Sequence, residues 1–149
     1  MIPDLKDNTI KSILEDAGWY SGRAIEIDYM LDDLKLSGIT APNTYLENLL
    51  KEYSNLGLEF QRNDGRYGSI RLNTEVARDI GLDILIRFEA ALGEKLLPLG
   101  SIDWDSALLI ASHSGKFYMA AEGKLYKIGD SFYEMLETVV YQKDVLRLY

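Results

Sequence analysis

The chain of 149 residues has no cysteine, a single histidine and only three prolines. The lack of cysteine excludes disulfides, thiolate metal sites and thiol catalysis, and it is typical of proteins of the reducing cytosol. One histidine leaves zinc and iron sites poorly supplied with ligands. The apolar runs are far shorter than the roughly 20 residues of a membrane-spanning helix. We therefore expect a cytoplasmic protein with no cofactor and no membrane partner.

Positive charge is also scarce, because 24 acidic residues stand against 16 basic ones and give a formal net charge of −8. The whole excess lies in residues 1–35 and 75–105, whereas the other two stretches balance. Such a chain repels nucleic acid and attracts a basic partner. An acidic surface can equally serve solubility alone, so charge leaves both interpretations open. The length favours a single domain over residues 1–149.

Apolar residues at helical spacing predict about five helices. The apolar positions of these helices fall within residues 10–17, 28–34, 46–53, 84–92 and 132–140, and Pro42 suits the first turn of the third helix. Thr44 and Glu47 are spaced as a capping box at the start of the third helix, and Ser131 and Glu134 are spaced in the same way at the start of the last. Gly18, Gly38 and Gly93 supply the residue that ends a helix.

Alternating apolar residues predict strands between these helices. A hairpin surrounds the turn Asn63-Asp64-Gly65, and a three-stranded meander covers residues 107–111, 117–121 and 125–128. Pro98 is expected to keep residues 96–100 from forming a central strand. Consecutive strands joined by tight turns pair antiparallel, so the sequence predicts an α+β fold with a mainly antiparallel sheet.

Candidate catalytic groups are few. His113 lies on a Ser-His-Ser-Gly turn, where neighbouring side chains diverge, and this favours a plain turn histidine over a serine–histidine pair. Asp28 and Asp32 share one helix face, and Asp103 and Asp105 bracket a tryptophan on a loop. An acid hydrolase needs two carboxylates in different environments across one cleft. An acid hydrolase therefore stays an alternative to the simpler interpretation, in which these carboxylates only form a solvated acidic face.

The stretch EDAGWYSGR, residues 15–23, is the least generic part of the chain. Two large aromatics, Trp19 and Tyr20, directly follow the glycine that ends the first helix. Trp19 can be the floor of a binding site, or it can be a structural peg that buries about 150–250 Å² and fixes the exit of the helix. We expect the peg.

Five short motifs follow one another along almost the whole chain. They are residues 17–23 (AGWYSGR), 45–58, 93–100 (GEKLLPLG), 115–118 (GKFY) and 129–132 (GDSF). This series resembles the third subfamily of the SUKH superfamily, whose members are immunity proteins of bacterial polymorphic toxin systems. One departure is Ser114-Gly115, because the family usually has an acidic residue before that glycine.

The resemblance implies a SUKH-like fold and an immunity protein, an antitoxin that binds and neutralises a cognate toxin domain such as a nuclease. Since a nuclease is basic where it meets phosphate, the acidic stretches are the expected contacts. The predicted partner-binding residues are Asp28, Asp32, Asp33, Asp79, Asp83, Asp103 and Asp105, with Tyr20 and Trp104 as aromatic anchors. A regulatory or scaffolding module of the same superfamily is the alternative function.

Overall fold

The computed structural model describes residues 8–78, 80–104 and 106–149. In these ranges, seven antiparallel strands form one sheet in chain order. The strands are β1 (Leu56–Gln61), β2 (Tyr67–Leu72), β3 (Leu96–Ile102), β4 (Ala107–Ser112), β5 (Phe117–Ala121), β6 (Lys124–Gly129) and β7 (Leu146–Arg147). The helices are α1 (Asn8–Asp16), α2 (Asp28–Leu36), α3 (Thr44–Tyr53), α4 (Leu82–Leu92) and α5 (Phe132–Tyr141), with a short 3-10 helix at Thr74–Arg78. The predicted α+β class is confirmed.

Three helix ends show how local sequence sets the bounds of the helices. Ser131 caps α5 as predicted, because its hydroxyl oxygen accepts a hydrogen bond from the Glu134 N–H at 3.1 Å. Gly93 ends α4 with a left-handed φ of 70°. The predicted capping box at Thr44 is wrong, since Asn43 is the cap and its side chain accepts from the Leu46 N–H at 3.0 Å.

The predicted hairpin and meander are confirmed. In the hairpin, Leu58 of β1 lies opposite Ile70 of β2. In the meander, Glu122 and Gly123 connect β5 to β6 with φ values of 52° and 76°. A two-residue hairpin turn of the I′ type needs positive φ at both positions, and this requirement explains the glycine.

The prediction that Pro98 keeps residues 96–100 out of a central strand is wrong. These residues belong to β3, which lies third in the sheet and is buried along its whole length. The ladder between β2 and β3 includes only Ser101 and Ile102, so Pro98 lies beyond it. The register between β3 and β4 also shifts between Pro98 and Gly100. Proline is tolerated in such an edge-like, bulged segment. The short β7 was not predicted either.

One face of the sheet carries the larger part of the core. Leu56, Leu58 and Phe60 of β1 point to this face and are buried. On the same side, Tyr53 of α3 stacks on Phe132 of α5 with ring centroids 4.0 Å apart. The helices α1 and α5 also contact β1 and β6 respectively. The hairpin, the meander and these three helices therefore share one apolar layer.

The other face is covered only in part. The register places Gly57, Arg71, Ser101, Leu108 and Ala120 in one row across β1 to β5, and directly paired residues point to the same side. Helix α4 packs over the Leu108 and Ala120 end of this row. At the opposite end, Gly57 and Arg71 are exposed. The outer face of the hairpin is thus left open.

A substitution at Gly100 tests how closely β2 and β3 approach each other. A Cβ atom at this position would meet the backbone carbonyl oxygen of Arg71 far inside van der Waals contact. We expect Gly100→Ala to lower the free energy of unfolding by roughly 2–3 kcal/mol, because a backbone atom cannot rotate away. Urea denaturation followed by circular dichroism measures this change.

The matched control is Gly57→Ala in β1, where an added Cβ has no heavy atom within 4 Å. We expect this variant to be as stable as the wild type, or up to about 1 kcal/mol more stable, because alanine loses less chain entropy on folding. Equal unfolding midpoints for the two variants would contradict the close approach of β2 and β3.

Candidate protein-binding surface

Helix α2 presents an acidic and aromatic surface. Asp28 and Asp32 are exposed, whereas Asp33 is half-buried and has an interaction of its own. The exposed Tyr29 accepts a hydrogen bond at its hydroxyl from the Asn55 side-chain amide at 2.8 Å. Because Asn55 directly precedes β1, this bond ties α2 to the edge of the sheet at the open end of the hairpin.

Asp83 lies on the first turn of α4. This turn meets the chain just after α2, since a Cβ on Gly38 would lie 3.1 Å from the Leu82 side chain. Asp83 is exposed at the N-terminus of α4, where the helix dipole favours a carboxylate. The predicted contact residue Asp79 lies outside the described residues. The structure therefore places Asp83 near the C-terminal end of α2.

The aromatic pair after α1 divides into two roles. Tyr20 is 60% exposed, whereas Trp19 is half-buried and packs against the core. The indole N–H of Trp19 donates to the Glu52 carboxylate at 3.0 Å. Arg23 donates to the backbone carbonyls of Glu52 and Ser54, so it satisfies the end of α3. These contacts support the expectation that Trp19 is a peg and leave Tyr20 as the accessible aromatic.

The turn after β3 holds two predicted contact residues. Asp103 is 35% exposed at its side chain, and its Oδ1 accepts from the Ser69 N–H at 3.1 Å and from Arg62 Nη2 at 3.2 Å. Trp104 is 59% exposed, and its N–H donates to the Ser69 hydroxyl oxygen at 3.0 Å. Asp103 thus shapes this turn, while Trp104 projects from it. Asp105 lies outside the described residues.

Arg62 is a residue of this surface that the sequence analysis missed. Its side chain is only 8% exposed, and Nη2 donates both to Asp103 and to the Val139 carbonyl at 3.0 Å. The guanidinium lies 5.2 Å from the centre of the Phe60 ring. Val139 is in the last turn of α5, so Arg62 satisfies one of its free carbonyls. An arginine at the end of a strand gives no sequence signal that it is buried.

A groove of about 310 Å³ runs along the open face of the hairpin. Gly57 and Glu59 of β1, Arg71 of β2 and Ser101 of β3 line it, and Trp104 forms one wall. Glu59 is exposed, and Gly57 leaves space because it has no side chain. The groove can therefore receive a side chain from another protein next to the indole ring.

The groups considered for catalysis do not converge in the part of the chain that the structure describes. Asp28 and Asp32 are both exposed on α2, so they lack the two different environments that acid hydrolysis needs. Ser112 pairs with Ser114 through their hydroxyls at 3.0 Å, and His113 Nε2 is buried without a partner. No group of three or more metal-ligating side chains occurs there either.

Burial raises the pKa of Tyr118, whose ring is part of the core rather than the surface.

Comparison with known proteins places these features in a family. A family model described as SUKH-3 immunity protein matches residues 6–142. No match was found among curated proteins or among solved structures. Within the described ranges, no helix is both long and apolar enough to cross a bilayer.

The role of Arg62 can be tested by Arg62→Met, which keeps most of the side-chain length and removes the charge. We expect the free energy of unfolding to fall by about 1–3 kcal/mol, because the Val139 carbonyl loses its donor and Asp103 keeps only part of its hydrogen bonding. The variant is compared with the wild type by urea denaturation.

Arg66→Met is the matched control on the same hairpin. Arg66 also pairs with a carboxylate, Asp64, but its side chain is 72% exposed, so water replaces the lost contact. We expect no measurable change in the unfolding midpoint. If Arg62→Met also leaves the unfolding midpoint unchanged, the guanidinium does not hold the turn.

Proposed function

The chain belongs to the SUKH-3 immunity protein family, and from this premise we propose that it binds a cognate toxin domain and neutralises it. The observation that carries the proposal is the family match over residues 6–142, which includes all five helices and strands β1 to β6. Neutralisation requires only that the chain occupy the active site of the toxin or a surface next to it. The two proteins then form a stoichiometric complex in the cytoplasm of the producing cell.

We further propose that the toxin domain is basic at the contact surface, as a nuclease is where it binds phosphate. The net charge of −8 supports this partner. The exposed Asp28 and Asp32 of α2 and Asp83 of α4 support it as well. Complementary charge mainly accelerates association and selects the partner, while apolar contacts hold the complex together.

The proposed contacts differ in role according to their surroundings. The exposed carboxylates of α2 and Asp83 are suited to attract the toxin, and Tyr20 to contact it. Asp33, half-buried, and Asp103, which binds two donors, are less available to a partner. The predicted contacts Asp79 and Asp105 remain part of the proposal.

Co-expression tests the function directly. The chain is produced together with the toxin domain encoded by the neighbouring gene, and growth and co-purification are recorded. Rescue of growth together with a stable complex supports the immunity function. A chain that neither protects the cell nor co-purifies with the domain would instead favour the regulatory alternative.

Charge reversal tests the acidic surface. We expect the double variant Asp28→Lys and Asp32→Lys to bind the toxin domain with a lower association rate and a weaker dependence on salt, because both carboxylates are exposed. Stopped-flow kinetics at several salt concentrations measures both effects.

Glu122→Lys with Asp144→Lys is the control for net charge. Both residues are exposed, on the β5–β6 turn and near the C-terminal end, and the change in net charge is the same. We expect a clearly smaller loss of association rate. If both double variants slow association equally, the effect comes from overall charge, and α2 is not the contact.

A further inference from the structure

Trp104 is held in an unfavourable backbone conformation. Asp103 and Trp104 have φ values of 51° and 53°, so two successive residues with side chains lie in the left-handed region. Each such residue costs on the order of 1–3 kcal/mol and persists only where the surrounding structure imposes it. The side chain that this turn presents is nevertheless a large apolar ring, 59% exposed. The fold therefore stabilises the exposure of an aromatic residue.

The turn is locked to β2 by a reciprocal pair of hydrogen bonds. The backbone N–H of Ser69 donates to Asp103 Oδ1, and the Ser69 hydroxyl oxygen accepts from the backbone N–H of Trp104. Ser69 is itself buried, so water competes little for its groups. The Ser106 hydroxyl closes the other side of the turn by donating to the Asp103 carbonyl at 2.8 Å.

A second layer of contacts holds this lock in place. Arg62 binds the same oxygen of Asp103 that Ser69 binds and also donates to Val139 at the end of α5. Since α5 buries its apolar face in the core, its contact with Arg62 fixes the turn relative to the core. The backbone at Trp104 is thus pre-organised, and a partner need not spend binding energy on ordering this turn.

We propose that Trp104 is the central anchor of the toxin-binding surface, with Ser69 and Arg62 as positioning residues. This inference rests on the proposed function. The partner feature is an apolar pocket on the toxin domain. The indole enters this pocket, and the rim of the pocket lies over the groove, which both Glu59 and Arg71 line. Rigid tryptophans in well-packed pockets are among the residues that dominate binding energy.

The first test uses an inactive form of the toxin domain encoded by the neighbouring gene. We expect Trp104→Ala to weaken binding by roughly 30-fold or more, the range of an interface hot spot. The change appears mainly as faster dissociation, since charge steering is intact. Tyr45→Ala is the control, because Tyr45 is an exposed aromatic whose ring would lie 3.5 Å from a Cβ on Gly115, in the turn at the opposite end of β4, and we expect unchanged affinity.

The positioning role is tested by Ser69→Ala and Ser69→Thr. Alanine removes the acceptor for the Trp104 N–H, whereas threonine keeps a hydroxyl and suits a strand. We expect about a tenfold faster dissociation for Ser69→Ala, as a hydrogen bond worth about 1.4 kcal/mol would give, and recovery for Ser69→Thr. A loss of stability alone would lower the unfolding midpoint without changing the dissociation rate of the folded protein.

A third measurement needs no change at Trp104. In a Trp19→Phe background, Trp104 is the remaining tryptophan and reports its own environment. We expect its fluorescence to be quenched by iodide in the free protein and protected in the complex. If the chain does not bind the toxin domain at all, the proposed function fails and the anchor with it. If the complex forms while Trp104 stays open to iodide, or Trp104→Ala binds as tightly as Tyr45→Ala, only the anchor is refuted.

Discussion

The bond between the Arg62 guanidinium and the Asp103 carboxylate joins three parts of the chain that are distant in sequence. Arg62 directly follows β1, Asp103 lies in the turn after β3, and the shared donor Nη2 reaches Val139 in α5. The arginine is almost fully buried, while the carboxylate is partly exposed. Such a pair adds little net energy, because desolvation offsets attraction, but removal of one partner is costly. Its effect is to fix geometry rather than to supply stability.

The sheet explains why this geometry lies next to an open surface. Helices α1, α3 and α5 cover one face, and α4 covers only the meander end of the other. The hairpin end stays uncovered, with Gly57 and Arg71 exposed. The turn that carries Trp104 lies along this open end, so the indole ring forms one wall of the groove and regular strands form its floor. A site on rigid elements keeps its shape before a partner arrives.

In the proposed complex, attraction and anchoring fall on separate residues. The exposed carboxylates Asp28, Asp32 and Asp83 are proposed to act at a distance, where their effect depends on salt. Trp104 is proposed to act only on contact, where salt has little effect. An immunity protein must find a toxin quickly and release it slowly, and this division allows each rate to be set by different side chains. The half-buried Trp19, by contrast, belongs to the scaffold, as its bond to Glu52 shows.

The sequence by itself determined the local elements. Apolar periodicity, glycine stops and turn residues predicted the five helices, the hairpin and the meander, because these features depend on neighbours within a few residues. The same local reasoning was wrong at Thr44, because Asn43 is one position earlier and is an equally good cap.

Only the tertiary structure decided the features that depend on distant partners. Pro98 lies within a central strand because the β2–β3 ladder stops before it, and no local pattern reveals where a ladder stops. Asp103 and Asp32 look alike in sequence, yet one is bound by Arg62 and Ser69 while the other is exposed on a helix. The burial of Arg62 is set by elements up to 77 positions away, so the charge pattern alone could not distinguish a residue that attracts a partner from one that builds the turn.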